Sequence, residues 1–258
     1  MLMEYTVRPI KDSHEEDLHR AFIDAFQDYS VRIEMSYDEF RRMMGLLSVD
    51  LGLSMGAYEG DRLIGFVLIG QRGDDAYDAG TAVLPQYRRH GIGSALLEST
   101  IGNLRKNGIR RFILECLSDN ERALRMYRGM GFVEKRELIC YRGKAVSTER
   151  AERISLGIAV AKALELNPYR PSWQNSRESL SESAEGYCLD GAYAVIDQKS
   201  LRMHAFPDAG RGARLTKALA SDGLRAINVD SLDTTAGKAL QEAGLGVYAR
   251  QYEMELML

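Results

Sequence analysis

The sequence predicts an α/β (α+β) protein, a mixed sheet flanked by helices followed by a second, smaller domain of related layout. Three observations lead there. Strand-like segments are joined first by tight turns and later through helices. A basic, glycine-bearing loop stands between an apolar strand and an amphipathic helix. The end of the chain repeats, in altered form, the order of motifs found in the first half.

The elements follow in order from periodicity. Residues 5–10 read as a short strand. Residues 15–29 carry Leu18, Ala21, Phe22, Ala25 and Phe26 at helical spacing. Ser36 opens a second helix through Phe40, Met43, Met44 and Leu47, and strands 53–58 and 63–70 form a hairpin about Glu59-Gly60-Asp61-Arg62. A strand over 77–84, a helix over 92–106 ending at Asn107-Gly108 and a strand over 110–117 come next. A helix beginning at Asn120 and a strand over 133–141 follow them. Strands paired antiparallel and then linked through helices make a mixed sheet with helices on its faces. Beyond it, residues 149–166 read as a helix. A polar, serine-rich run to Gly186 holds the single tryptophan, Trp173, read as a loop anchor, and strands are expected at 192–196 and 201–206.

The first chemical signal is Val83-Leu84-Pro85-Gln86-Tyr87-Arg88-Arg89-His90-Gly91-Ile92-Gly93-Ser94. Gly91 and Gly93 let the backbone approach a bulky ligand. The first N–H groups of the helix point into the loop, where the dipole favours an anion, and Arg88, Arg89 and His90 add charge. A P-loop would need Gly-Lys-Ser/Thr, and a dinucleotide fingerprint would need Gly or Ala where Leu96 stands; neither is met. The second signal is Asn120-x-x-Ala123-x-x-x-Tyr127-x-x-x-Gly131-Phe132, with Asn120 as helix N-cap and Gly131 as the stop.

The spacing Arg-x-x-Gly-x-Gly after Val-x-Pro, followed by Asn-x-x-Ala-x-x-x-Tyr, resembles the GNAT acyltransferase superfamily over residues 4–142. The resemblance implies that acetyl-CoA is the co-substrate, with its pyrophosphate on the amides of residues 89–94 and its pantetheine arm along Thr81, Ala82 and Val83. It implies that Asn120 binds the arm or an ordered water, that Ala123 belongs to the cofactor site, and that Tyr127 is the general acid, a phenol of pKa ~10 facing a thiolate whose conjugate acid is near ~8.5. For the base, Glu115 is the candidate, an ionisable side chain inside the apolar run Phe112-Ile113-Leu114-Glu115-Cys116-Leu117. The alternative for Glu115 is a strand carboxylate bonded to a neighbour. On the acceptor side the resemblance points to Asp24, Asp28, Tyr29, Arg32, Glu34 and Asp38. An N-acetyltransferase is the favoured function, with a small-molecule or peptide amine as acceptor, against a non-catalytic acyl-CoA-binding sensor. The pattern Gly52-Leu53-Ser54-Met55-Gly56 matches a hydrolase nucleophile elbow, but a hairpin rather than a helix follows it.

In the second half, Asp233, Ala236, Leu240 and Gly244 align under Asn120, Ala123, Tyr127 and Gly131, so the acid position has lost its hydroxyl. Gly210-Arg211-Gly212 echoes Gly91-Ile92-Gly93, with Pro207 in place of Arg88. Residues 1–146 are therefore read as the catalytic domain. Residues 147–258 are read as a degenerate GNAT-like domain whose work is structural, covering the acceptor side or forming a contact in a homodimer.

Composition sets the remaining limits. A net charge of −3 argues against a general nucleic-acid binder. Cys116, Cys140 and Cys188 are expected as buried free thiols. His14, His19, His90 and His204 show no metal-ligand spacing, so no metal is expected. Met-Leu-Met-Glu lacks the apolar core of a signal peptide and no apolar run could span a bilayer, which points away from membranes and to the cytoplasm.

Overall fold

The computed structural model describes residues 4–10, 15–27 and 34–258; His14, Asp28, Tyr29 and Arg32 lie outside the described residues. The chain falls into two units. The first comprises Met1–Leu114, Arg122–Val133 and Met254–Leu258, the second Glu115–Glu121 and Glu134–Glu253.

In the first unit, β1 (Thr6–Pro9), β2 (Met55–Glu59), β3 (Arg62–Arg72) and β4 (Asp75–Val83) pair antiparallel in sequence order. The start of β5 (Arg111–Leu117) then joins β4 in parallel, after the crossover helix α3 (Ile92–Lys106). This is the mixed sheet that the sequence predicts. Helix α1 (Glu15–Phe26) buries Leu18, Ala21, Phe22, Ala25 and Phe26, the stripe set by its 3.6-residue period. The Phe22 ring lies 5.8 Å from Phe66 of β3 and 5.2 Å from Phe40 of α2 (Tyr37–Leu46). Phe40 and Phe66 are fully buried, and each such ring contributes about 1.5–3 kcal/mol of hydrophobic stabilisation. Helix α2 starts where Ser36 accepts from the Glu39 amide and Glu39 accepts from the Ser36 amide, a reciprocal capping box. After α4 (Glu121–Gly129), Gly131 at φ +92° turns the chain, and Phe132 meets Phe112 edge-on at 5.3 Å.

The second unit repeats this order of elements. The strand β7 (Glu152–Ile154) and helix α5 (Leu156–Leu166) precede the antiparallel strands β8 (Glu185–Leu189), β9 (Ala192–Asp197) and β10 (Ser200–Ala205). Helix α6 (Ala209–Leu219) crosses to β11 (Leu224–Asp230), parallel to β10, and α7 (Thr234–Glu242) follows. Strand β6 (Val133–Gly143) pairs antiparallel with β11. Each unit thus takes a strand from the other half of the sequence. Most of β6 lies in the second unit, and the end of β12 (Gly246–Met257) lies in the first, where the Leu258 amide donates to the Arg110 carbonyl at 2.8 Å.

Three local expectations are corrected. The helix expected over 149–166 begins only at Leu156, because the Ser155 hydroxyl accepts from the Ile158 amide and caps it, while 152–154 pair with β8. Gly210 and Gly212 stand inside α6 rather than in a loop before it; the N-cap is Asp208, whose carboxylate accepts from the Arg211 amide. Cys188 is partly exposed, unlike buried Cys116 and Cys140, because it sits on β8 beside Glu152 of the short edge strand β7. Trp173 is buried at the start of a 3-10 turn, Trp173–Asn175, where its carbonyl accepts from Ser179 at 2.7 Å.

Gly212 is a packing residue. A Cβ there would lie 2.7 Å from the Phe206 ring and 2.8 Å from Ala239 Cβ, whereas one at Gly210 meets only Asp208 Oδ1 at 3.4 Å. Gly212→Ala is expected to cost about 1–3 kcal/mol in chemical denaturation. Gly210→Ala is expected to be neutral or to add up to about 1 kcal/mol.

Candidate active site

Strand β4 and β5 remain paired for only three rungs, Asp75 with Arg111, Ala76 with Phe112 and Tyr77 with Ile113. Beyond Tyr77, β4 stays bonded to β3, Thr81 opposite Val67, Ala82 opposite Phe66 and Val83 opposite Gly65, while its other edge has left β5. Thr81, Ala82 and Val83 are partly exposed and so present a backbone edge to an incoming ligand.

The loop at the end of β4 is shaped by two left-handed residues, Arg89 at φ +67° and Gly91 at φ +78°. Such turns gather successive N–H groups into an anion-binding concavity. Gly91 is the N-cap of α3 and no side chain caps that end, so the amides of Ile92, Gly93 and Ser94 have no intrahelical carbonyl. Arg89, His90 and Gly91 are exposed. Arg88 takes a different part from the one expected. Its Nε donates to the Val83 carbonyl at 3.0 Å and its Nη2 to the Ala25 carbonyl at 2.8 Å, bracing the loop against the last turn of α1. A Cβ on Gly93 would stand 3.5 Å from Met126 Sδ and 4.0 Å from Val83 Cγ2, which places the start of α3 beside both β4 and α4.

Tyr127 is buried on α4, its ring 5.6 Å from Phe132. Its hydroxyl donates to Asp78 Oδ2 at 3.3 Å, and Asp78 also accepts from Thr81 Oγ1 at 2.6 Å and from the Gly80 amide at 2.9 Å. A bulge in β4, between the Gly80 and Asp78 rungs, re-aims this carboxylate. Burial pushes the Asp78 carboxyl up to about 6, against the opposing pull of those three bonds. Asp78 was not singled out from the sequence. The signal that selected Glu115, an acid inside an otherwise uncharged strand, is present in Ala76-Tyr77-Asp78-Ala79-Gly80 as well.

The first unit therefore gathers Thr81–Val83, Arg88–Ser94, Ala123 and Tyr127. Glu115 and Asn120 fall in the second unit. There Glu115 Oε2 accepts from Gln174 Nε2 at 2.6 Å and from Asn228 Nδ2 at 2.7 Å, and Asn120 immediately precedes α4. Of the acceptor-side residues, Asp24, Glu34 and Asp38 are exposed. Asp24 lines a cleft of about 580 Å³ with Arg8, Arg20 and Tyr58. Ser54 is fully buried, donating to the Asp50 carbonyl and accepting from the Ile69 amide, and it leads into β2, so it is a structural hydroxyl.

The equivalent region of the second unit is filled. Strands β10 and β11 part after two rungs, and the turn Trp173–Asn175 bonds to both: Asn175 Nδ2 donates to the Ile227 carbonyl, and Arg202 Nη2 donates to the Gln174 carbonyl. His204 Nε2 bonds Asp233 Oδ2 at 2.9 Å beside a cavity of about 30 Å³, room for little more than a water. Among the described residues no cluster of three or more His, Cys, Asp or Glu could hold a metal ion, and no helix is long and apolar enough to cross a membrane.

Residues 12–132 match the profile of the Acetyltransferase (GNAT) family. The ribosomal protein bS18-alanine N-acetyltransferase of Escherichia coli (strain K12) is 41% identical over 61 residues, 24% of this chain and 41% of that protein. N-alpha-acetyltransferase 30 of Schizosaccharomyces pombe is 32% identical over 93 residues, 34% of this chain and 62% of that one. The chain thus spans about two fifths of the first relative's length and about three fifths of the second's. Among solved structures, a candidate acetyltransferase from Pyrococcus horikoshii superposes with a TM-score of 0.73 over 98% of this chain and 89% of that one. A GCN5-related N-acetyltransferase from Sphaerobacter thermophilus gives 0.67 over 98% and 95%. Both are 14% identical, so the likeness is one of fold, and it runs through both halves of the sequence.

The raised Asp78 carboxyl has a consequence for stability. Its folded value of about 6 lies above the ordinary 3.8, so the folded chain binds more protons between those values. The stability it contributes is complete below pH ~4 and is lost as pH rises through ~6, a loss of about 3 kcal/mol. Relative to Asp78→Asn, the wild-type chain should lose that much between pH ~4 and ~7. Paired urea titrations at the two pH values measure it.

Proposed function

We propose, from the match of residues 12–132 to the GNAT acetyltransferase family, that the chain is an N-acetyltransferase, moving the acetyl group of acetyl-CoA to an amine by direct attack. The observation that carries this reading is the uncapped start of α3 behind the left-handed turn at Arg89 and Gly91. Its amides suit a pyrophosphate, and the edge of Thr81, Ala82 and Val83 that has left β5 suits the amide groups of a pantetheine arm. Asn120 and Ala123 would flank the arm.

In the transfer, the amine nitrogen forms a bond to the thioester carbon, the C–S bond breaks, and the thiolate leaves. Tyr127 would give that thiolate its proton. The 3.3 Å bond to Asp78 holds the phenol in place without retaining its proton, because a carboxylate near 6 is a weaker base than a thiolate whose conjugate acid is near ~8.5. Glu115 would take the proton of the attacking amine. The acceptor class to try first is the peptide α-amine, since two relatives are named for acetylating an alanine or an N-terminus. An α-amine near pKa ~8 also asks less of a base than a lysine near ~10.4. In this reading residues 147–258 serve as an accessory half. Leu240 replaces the acid, and the α6 start is capped by its own Asp208.

Calorimetry with acetyl-CoA should give one site per chain, lost in Gly91→Asp. A Cβ at that position meets no atom within 4 Å, so the variant is expected to fold with a strained φ and a carboxylate in the anion site. Unchanged affinity would remove the site assignment. Tyr127→Phe should keep acetyl-CoA affinity and lower thiol release, with an alanine-starting peptide, by about 10²-fold or more. Binding without turnover across peptides, polyamines and aminoglycosides would favour an acyl-CoA sensor instead.

A further inference from the structure

The carboxylate of Glu115 sits in a built polar cluster supplied by the second half of the sequence. Gln174 Nε2 and Asn228 Nδ2 donate to the same oxygen, Oε2, at 2.6 and 2.7 Å. Short bonds from two amides to one carboxylate oxygen favour the ionised form and fix its direction. Asn228 is buried, and its donor and acceptor ends are assigned by their partners. Its Oδ1 accepts from Gln251 Nε2 at 2.5 Å, which leaves Nδ2 to face Glu115 and the Ser172 hydroxyl at 3.1 Å.

The β11 backbone is irregular at this contact. Asn228 adopts φ +55°, a left-handed value that asparagine takes more readily than other residues with a side chain, and the β11 register slips between Ala226 and Val229 at the same place. Gln174 is fixed in turn. Its carbonyl accepts from Arg202 Nη2, and the next residue, Asn175, donates to the Ile227 carbonyl at 2.7 Å. The titratable neighbours of the cluster are the Cys140 thiol on β6 and, beyond it, the Tyr248 phenol on β12. Burial pushes both up, Tyr248 to about 12, so neither is charged where a carboxylate titrates.

We propose that Gln174 and Asn228 are positioning residues for the reaction: their amides hold Glu115 ionised and aimed, so that the second half of the sequence completes the proton acceptor contributed by the first. The proposal rests on Glu115 being the base.

The test separates the two ideas. Turnover of acetyl-CoA with an alanine-starting peptide is compared in wild type and Glu115→Gln, with a drop of about 10²-fold expected. The Glu115 carboxyl is then titrated by ¹³C NMR in glutamate-labelled protein, its signal assigned by its loss in Glu115→Gln, a readout that needs no acceptor. Gln174→Met keeps the length of the side chain without its N–H, and Asn228→Gly suits the left-handed backbone while removing the amide. Each should move the Glu115 titration, and the acid limb of kcat/KM, upward by about one pH unit. Gln174→Glu should move them further by placing a second carboxylate against Oε2. A titration that stays put in folded Gln174→Met and Asn228→Gly overturns the clamp while leaving the base in place. Full turnover in Glu115→Gln overturns the catalytic role of the whole cluster.

Discussion

The early parting of β4 from β5 is the constraint on which the site depends. Parallel strands are held by slanted, evenly spaced bonds, and here those bonds stop after Tyr77 and Ile113. The next residues of β4 can bulge, turning Asp78 toward the Tyr127 hydroxyl. Its backbone edge at Thr81–Val83 is opened, and the following turn delivers the first amides of α3 to the same place. Arg88 locks that delivery by joining the end of β4 to the end of α1. A guanidinium spent on two carbonyls is worth more to the loop as a strut than as one more exposed charge.

The second unit has the same parting and the opposite outcome. Its parallel strands separate after Leu201 and Ala226, but the chain's own turn at Trp173–Asn175 bonds into the gap. Phe206 lies against the α6 backbone at Gly212, and Asp208 caps the helix start with a carboxylate that would repel an anion. A similar element order therefore leaves the parted strand edge uncovered by such a turn in one unit and bonded to one in the other. The filled groove keeps its polar machinery, which is directed at Glu115.

Legibility in the sequence follows the range of each interaction. The stripe of α1, the Ser36–Glu39 cap and the turn at Gly91 are local, set by residues three or four apart, and they could be read from spacing. The two chemical motifs could be read for the same reason. Asp78 escaped notice because its importance comes from burial and from Tyr127, 49 residues away. The strut formed by Arg88 was hidden because its partner Ala25 is 63 positions distant and contributes only a carbonyl. Residues 152–154 were absorbed into a helix because edge pairing with β8 leaves no periodic mark on three residues. The Asp208 cap is local as well, its carboxylate accepting from the Arg211 amide three residues on.

The exchange of β6 and the end of β12 governs how the molecule can come to be made. The first unit contains Met254–Leu258, and the Leu258 amide meets Arg110 across 148 positions of chain. Contacts of that span close slowly, since a long loop must lose its freedom before any bond rewards it. On the ribosome the first half emerges with β5 and β6 both made, yet most of β6 belongs with strands not yet translated. An unfinished sheet edge beside β5 is then exposed throughout synthesis of the second half. Such edges invite pairing with neighbouring nascent chains. The order in which segments leave the ribosome therefore sets how long that edge waits for its partner strand.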